Sequence, residues 1–298
     1  MRPSGFPTPS PAKRGRVGEG TAACYPARPM IKLLLVDVDG TLVGPSGVPE
    51  RVWDAAARAR ARGLHLGLCT GRSGAGSAIE YARRLAPDGL NVFDSGAVVM
   101  RSDGVIAHAE TLPRPLYAEF VALARTHGLD FETYTAEGGF FIDRETPTLV
   151  THQRALGRGA TVVDLDRVPG IVVRTQFVMR DGPAWRAARA AIAAHEEVDL
   201  HEATSPMLPE MIFAAVTRRG VSKVSGARRI AATLGIGGLE AVAMAGDADN
   251  DLELIRAAGL GVAMGNAPAH VQAAAKLVVG DVEAVGLADL LDRLPIAA

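Results

Sequence analysis

From residue 30 onward the chain alternates short apolar runs with longer stretches mixing alanine, arginine and aliphatic residues. Ile31–Val36 is a nearly unbroken apolar run, the pattern of a strand buried on both faces. Residues Pro49 to Arg62 place proline in a first turn and Gly63 at a stop, which predicts a helix. Leu64–Cys69 predicts a second buried strand, and Ser73–Ala86 a second helix closed by Pro87-Asp88-Gly89. Short strands are predicted at Asn91–Phe93 and Ala97–Met100, around Ser95-Gly96. The C-terminal part resumes the rhythm. Helices are predicted at Lys223–Leu234, Asp251–Ala258, Pro268–Ala275 and Val282–Leu291, with strands at Ala241–Ala245, Gly261–Met264 and Leu277–Val279 between them. This alternation predicts right-handed crossovers and an α/β fold: a Rossmann-like, doubly wound parallel sheet core.

The middle of the chain breaks the rhythm. Between Leu112-Pro113 and Ser205-Pro206 lie two helical patterns, Leu116–His127 and Pro183–Glu196, with short β-like runs at Gly139–Ile142 and Ile171–Met179. The expected organisation is therefore a core in two pieces, 30–111 and 207–298, interrupted by an α+β domain at 112–206. Residues 1–29 are rich in Pro, Gly, Ser and Arg without periodicity, and are read either as a disordered tail or as sequence upstream of a true start at Met30.

Composition narrows the function classes. With 48% hydrophobic and 22% charged residues in 298, a sizeable core can be buried. A net charge of -1 and an isoelectric point near 6.7 give no basic signature of a nucleic-acid or membrane-surface partner. No apolar run approaches the ~20 residues of a membrane span. The two cysteines, Cys24 and Cys69, have no metal-like spacing and are read as reduced thiols in a cytoplasmic protein. The expected assembly is a monomer or a homodimer.

Candidate chemistry lies where a parallel sheet puts its functional loops, at the carboxyl ends of strands. Asp37-Val38-Asp39-Gly40-Thr41 follows the first strand and Gly246-Asp247-Ala248-Asp249-Asn250-Asp251 a later one. Clustered carboxylates need a cation or a shared proton, and hard oxygen ligands suit Mg²⁺. Helix capping is an ordinary alternative for Asp249 and Asn250. A calcium loop fails at both places, because Leu42 and Leu252 occupy the sixth position and Val48 and Ala258 the twelfth. Thr70-Gly71-Arg72 follows the second strand and Lys223 opens a helix, which offers a hydroxyl, backbone N–H groups and an ammonium to phosphoryl oxygens. Of the 32 basic residues only four are lysines, so a lysine at this point reads as chemistry. The scattered histidines, His195 and His201 included, are read as solvated. Trp53 and Trp185 are read as packing anchors. Arg154 and Arg158 in the insertion could meet an anionic substrate, but among so many arginines neither is singled out, and Glu137–Phe141 is read equally as a cap loop or a hairpin turn.

Taken together, these motifs resemble the haloacid dehalogenase superfamily, in its Cof-type branch with a large α/β cap. DVDGTLV resembles the first motif, Thr70 in CTGR the second, Lys223 the third and GDADNDLEL the fourth, in the family's order. The resemblance covers about residues 30–298. Two departures stand out: Ser95-Gly96 where the branch has Asn-Gly, and Lys223-Val224 where it has Lys-Gly. The resemblance implies that Asp37 is a nucleophile toward phosphorus and Asp39 a general acid and base. It implies Mg²⁺ held by Asp37, Asp39 (through its backbone carbonyl), Asp247 and Asp251, with Asn250 an alternative to Asp251. Phosphate would be bound by Thr41, Thr70, Gly71, Lys223 and Asn250. The implied activity is a Mg²⁺-dependent phosphatase acting on a small phosphomonoester such as a sugar phosphate. A phosphomutase and a non-catalytic phosphate-binding protein remain the alternatives.

Overall fold

The computed structural model describes residues 30–205 and 208–295, so the expected tail, with Cys24, lies outside the described residues. The first core segment runs β1 (Leu33–Val36), α1 (Glu50–Ala61), β2 (His65–Leu68), α2 (Ser77–Leu85), β3 (Leu90–Phe93), β4 (Val98–Arg101) and β5 (Ile106–Ala109). The insertion runs α3 (Arg114–His127), β6 (Asp130–Thr135), β7 (Phe140–Ile142), α4 (Pro147–Leu156), β8 (Thr161–Val162), β9 (Val172–Met179), α5 (Pro183–Ala193), β10 (Val198–Ser205) and β11 (Leu208–Arg218). The core then resumes with α6 (Lys223–Thr233), β12 (Val242–Gly246), α7 (Leu252–Ala257), β13 (Leu260–Ala263), α8 (Ala269–Ala274), β14 (Leu277–Val278) and α9 (Gly286–Arg293).

The core sheet is parallel, in the order β14-β13-β12-β1-β2. A parallel bridge from Cys69 to Val92 brings β3 beside β2, and β3-β4-β5 turn back as an antiparallel meander. Successive residues of β1 face opposite sides, as the pleat requires. Leu34 and Val36 pack with Val52, Trp53 and Ile79 of α1 and α2 and Leu287 of α9. Leu33 and Leu35 pack with Val224 and Ile230 of α6 and Ile255 of α7. Both faces of the strand are therefore covered, which is why its sequence is an unbroken apolar run.

The insertion forms a six-stranded sheet, β10-β11-β9-β6-β7-β8. One face carries α3 and α5, with Phe120 and Trp185 packed on Phe131 and Phe177. The other face carries Tyr134, Phe140, Leu149 of α4, and Phe213. It is the cap over the core's functional edge.

The structure differs from the sequence expectation at the cap's far end. The expected return to the core at 207 falls inside the cap sheet. β11 pairs antiparallel with β10 and also with β9, from Ile212 opposite Met179 to Thr217 opposite Arg174. β10 ends at Ser205 and its partner β11 begins at Leu208, so the expected boundary falls between two paired strands, and the chain rejoins the core at α6. Turn residues mark a change of direction equally well inside a domain and at its edge. Helix α2 also starts at Ser77 and not Ser73, because Gly76 takes a positive φ of 56° and ends the preceding loop.

Gly96 seats α6. Its φ is 115°, and a Cβ there would lie 2.0 Å from the Ser222 carbonyl oxygen, one residue before Lys223. Gly96→Ala is expected to cost at least about 2 kcal/mol, from backbone strain and displacement of α6. The urea unfolding midpoint checks this.

Candidate active site

The carboxyl ends of β1, β2 and β12 converge. Asp37 follows β1 directly and its N–H donates to the Ala245 carbonyl of β12 at 2.9 Å. Lys223 is the first residue of α6. Ser222 caps that helix by accepting from Ser225 N–H at 3.2 Å, while Ser225 Oγ accepts from Ser222 N–H at 2.9 Å. This capping box directs the lysine inward, where Nζ donates to Asp37 Oδ1 at 2.6 Å and to Asp251 Oδ1 at 2.5 Å. All three side chains are buried.

Asp251 is taken up on both oxygens, because its Oδ2 accepts from the N–H groups of Asp247 and Ala248, each at 3.1 Å. It braces the loop that presents Asp247. Thr41 Oγ1 donates to Asp247 Oδ1 at 2.9 Å. Gly40, at a φ of 76°, lets that carboxylate approach, since a Cβ would lie 2.1 Å from Asp247 Oδ2. Asn266 Nδ2 ties the Gly40 carbonyl at 2.8 Å to Asp247 Oδ2 at 3.4 Å.

Burial dominates the electrostatics. It raises the Asp37 pKa from 3.8 to about 7; Lys223 pulls it down, and Asp251 and Asp247 push it up. For Lys223 burial acts downward, but the Asp37 and Asp251 carboxylates outweigh it and hold the ammonium above its ordinary range. Burial also raises Asp247, against the hydrogen bond from Thr41. Cys69, buried and unpaired beneath this edge, has its thiol pushed well up by burial.

One carboxylate oxygen from each of Asp37, Asp247 and Asp251 lies within 4.8 Å of the others. One ammonium faces three carboxylates there, which leaves an excess of negative charge among oxygen donors. A hard divalent cation fits this donor set. Asp251 is held by Lys223 and two backbone N–H groups and Asp247 by Thr41 and a longer contact from Asn266, whereas Asp37 is held only at Oδ1, by Lys223.

The other expected residues divide. The Asp39 carboxylate is exposed and lies outside this cluster; it pairs with Arg72, whose Nε and Nη2 donate at 2.8 and 2.5 Å. Thr41, expected on phosphate, is buried and bonded to Asp247, so its structural contact is with a carboxylate. Thr70 is buried, with its N–H on the Val92 carbonyl at 3.0 Å. Asp37, Asp39, Thr70, Gly71 and Asn250 share one cleft of about 560 Å³. Its opposite wall comes from the cap: Tyr134, Phe140, His152, Arg158, Arg174 and Gln176. Sequence reasoning passed over Arg72 as the partner of Asp39, Asn266 as the tie to Asp247, and Arg174. Arg72 stands inside a motif already quoted, CTGR, and Asn266 in Gly265-Asn266-Ala267-Pro268, directly after β13.

A family profile for haloacid dehalogenase-like hydrolases matches residues 34–291. YxeH of Bacillus subtilis, which bears the name of a candidate phosphatase, is 28% identical over 284 residues, covering 90% of this chain and 100% of that protein. The HMP-PP phosphatase of Escherichia coli O157:H7 is 26% identical over 259 residues, covering 82% of this chain and 88% of its own. Among solved structures, BT1666 of Bacteroides thetaiotaomicron, described with the phosphatases of the haloalkanoate superfamily, superposes with a TM-score of 0.75 at 25% identity, covering 93% of this chain and 100% of its own. TM0651 of Thermotoga maritima gives the same TM-score at 17% identity, with 90% and 98% coverage, and so shares the fold.

The raised Asp37 pKa sets a pH dependence. The unfolded carboxyl ionises near 3.8 and the folded one near 7, so the folded state binds more protons between those values. This contribution lowers stability as pH rises from about 4 through 7. The cation-free protein is expected to melt lower at pH 8 than at pH 5.5. Either added Mg²⁺ or Asp37→Asn should shrink that difference. Scanning calorimetry at the two pH values checks it.

Proposed function

We propose that this chain, which belongs to the haloacid dehalogenase-like hydrolases, is a Mg²⁺-dependent phosphatase that hydrolyses a small phosphomonoester through an aspartyl-phosphate on Asp37. The observation that carries the proposal is the joint placement of Asp37, Lys223 and the Asp247–Asp251 loop at one end of the sheet, beneath a cap-walled cleft. The names of the relatives support the phosphatase class.

Lys223 orients Asp37 through Oδ1, and one oxygen of that carboxylate is the attacking atom. That oxygen forms a bond to phosphorus while the ester P–O bond opposite it breaks. Asp39 lines the cleft and, once it exchanges an Arg72 contact for a proton from solvent, gives that proton to the leaving oxygen. It then takes one from the water that attacks phosphorus and releases phosphate from Asp37. Thr70 and the Gly71 N–H would bind phosphoryl oxygens, and Lys223 offsets the charge of the carboxylates. Mg²⁺, held by Asp37 and Asp247 with Asp251 behind them, would keep Asp37 ionised and neutralise charge on the transferring group. The cap wall restricts the cleft to small esters and keeps bulk water from the reacting atoms.

Purified protein is expected to release inorganic phosphate from p-nitrophenyl phosphate and from members of a phosphorylated-metabolite panel, and to stop when EDTA removes the metal. Asp37→Asn should abolish turnover with the fold intact by circular dichroism. Asp39→Asn should lower kcat by about 10²–10⁴-fold. Isomerised sugar phosphate without free phosphate would replace hydrolysis by mutase chemistry, and wild-type turnover in Asp37→Asn would remove the mechanism.

A further inference from the structure

The cap wall of the cleft carries more positive charge than its own carboxylates use. Arg174 on β9 stacks on the Tyr134 ring at 4.0 Å and sets Nη2 3.3 Å from Asp94 Oδ1, yet its Nε is buried with no hydrogen-bond partner. Arg158, after α4, donates to the Gly138 carbonyl and lies 5.7 Å from the Phe140 ring. Among the described residues it has no carboxylate within ion-pair distance. Glu132, whose partners line the same wall, is fully buried and already used on both oxygens. Oε1 contacts His152 Nδ1 at 2.7 Å, and Oε2 accepts from Tyr134 Oη at 2.8 Å and Gln176 Nε2 at 2.7 Å. Asp94 pairs with Arg174 through Oδ1, and its Oδ2 is buried without a hydrogen-bond partner.

Arg158 has no ion-pair partner among the described residues and Arg174 has the single contact with Asp94, while each guanidinium carries five donors in a fork that matches carboxylate and phosphate oxygens. Both side chains line the same cleft as Asp37, from the opposite wall. A phosphoryl group bound at Asp37 would leave the far end of its ester against them.

We propose that Arg158 and Arg174 bind a second anionic group on the substrate, so that the preferred ester carries a carboxylate or a further phosphate on its leaving portion. This deepens the phosphatase reading and rests on it.

Two matched pairs test it: glycerol 3-phosphate against 3-phosphoglycerate, and fructose 6-phosphate against fructose 1,6-bisphosphate, by phosphate release with Mg²⁺. The wild type is expected to favour the more charged member of at least one pair by about tenfold or more in kcat/KM, the size of a charge-assisted contact. The pair that responds identifies the anion. The ratio should collapse to about unity in Arg158→Gln and in Arg174→Gln. Arg158→Gln leaves the Asp94 contact in place, so it reads the charge without loosening the cap, and unfolding midpoints verify that both variants fold. A wild type that favours neither charged member overturns the inference, as does a preference that survives both variants. Should the wild type turn over no ester at all, p-nitrophenyl phosphate included, the phosphatase reading itself fails and takes this inference with it.

Discussion

A lysine ammonium buried between two carboxylates is the constraint around which the molecule is arranged. Removing a single carboxylate from water costs several kcal/mol, and here Asp37 and Asp251 are both removed, with Asp247 half-buried beside them. Lys223 makes this tolerable only because its position is tightly set. The capping box fixes the first turn of α6, and Gly96 allows that turn to press against the β3–β4 connection. The residual negative charge is then an instrument, since it can be satisfied by a cation that also meets a phosphoryl group. The mutual repulsion of these carboxylates is what a cation would relieve.

The parallel sheet explains why these groups meet. Asp37, Thr70 and Asp247 each follow the carboxyl end of a strand, and β12-β1-β2 are neighbours. Residues more than two hundred positions apart thereby become hydrogen-bonded, as Thr41 and Asp247 are. The cap supplies what the sheet edge lacks, a second wall. Its other face is closed by its own core around Phe120 and Trp185, so the side toward the cleft can carry polar and charged groups.

The core was legible because its central strands, buried on both faces, read as apolar runs, and because α1, α6 and α7 stop just before Gly63, Gly235 and Gly259. The motifs were legible because acidic residues directly after such strands are unusual. The cap was legible only in part. β6, Asp130–Thr135, reads as a polar stretch, yet Glu132, Thr133 and Thr135 are buried. Glu132 reaches the interior through partners on α4 and β9 that lie 20 and 44 residues away, and no local pattern reveals them. Arg174 was hidden for a similar reason. In a chain with 28 arginines no single one stands out, and only the fold shows which faces Asp94.

Cys69 sits one residue before Thr70, closed off beneath the catalytic edge with its proton held by burial. A thiol in that state is neither a nucleophile nor an easy target for peroxide, because both reactions require an accessible thiolate. The proposed chemistry at the edge above it uses an oxygen nucleophile. At this edge, among the described residues, an oxidant that silences phosphatases built on cysteine would meet no accessible thiolate, and the ester hydrolysis proposed above would not share their sensitivity.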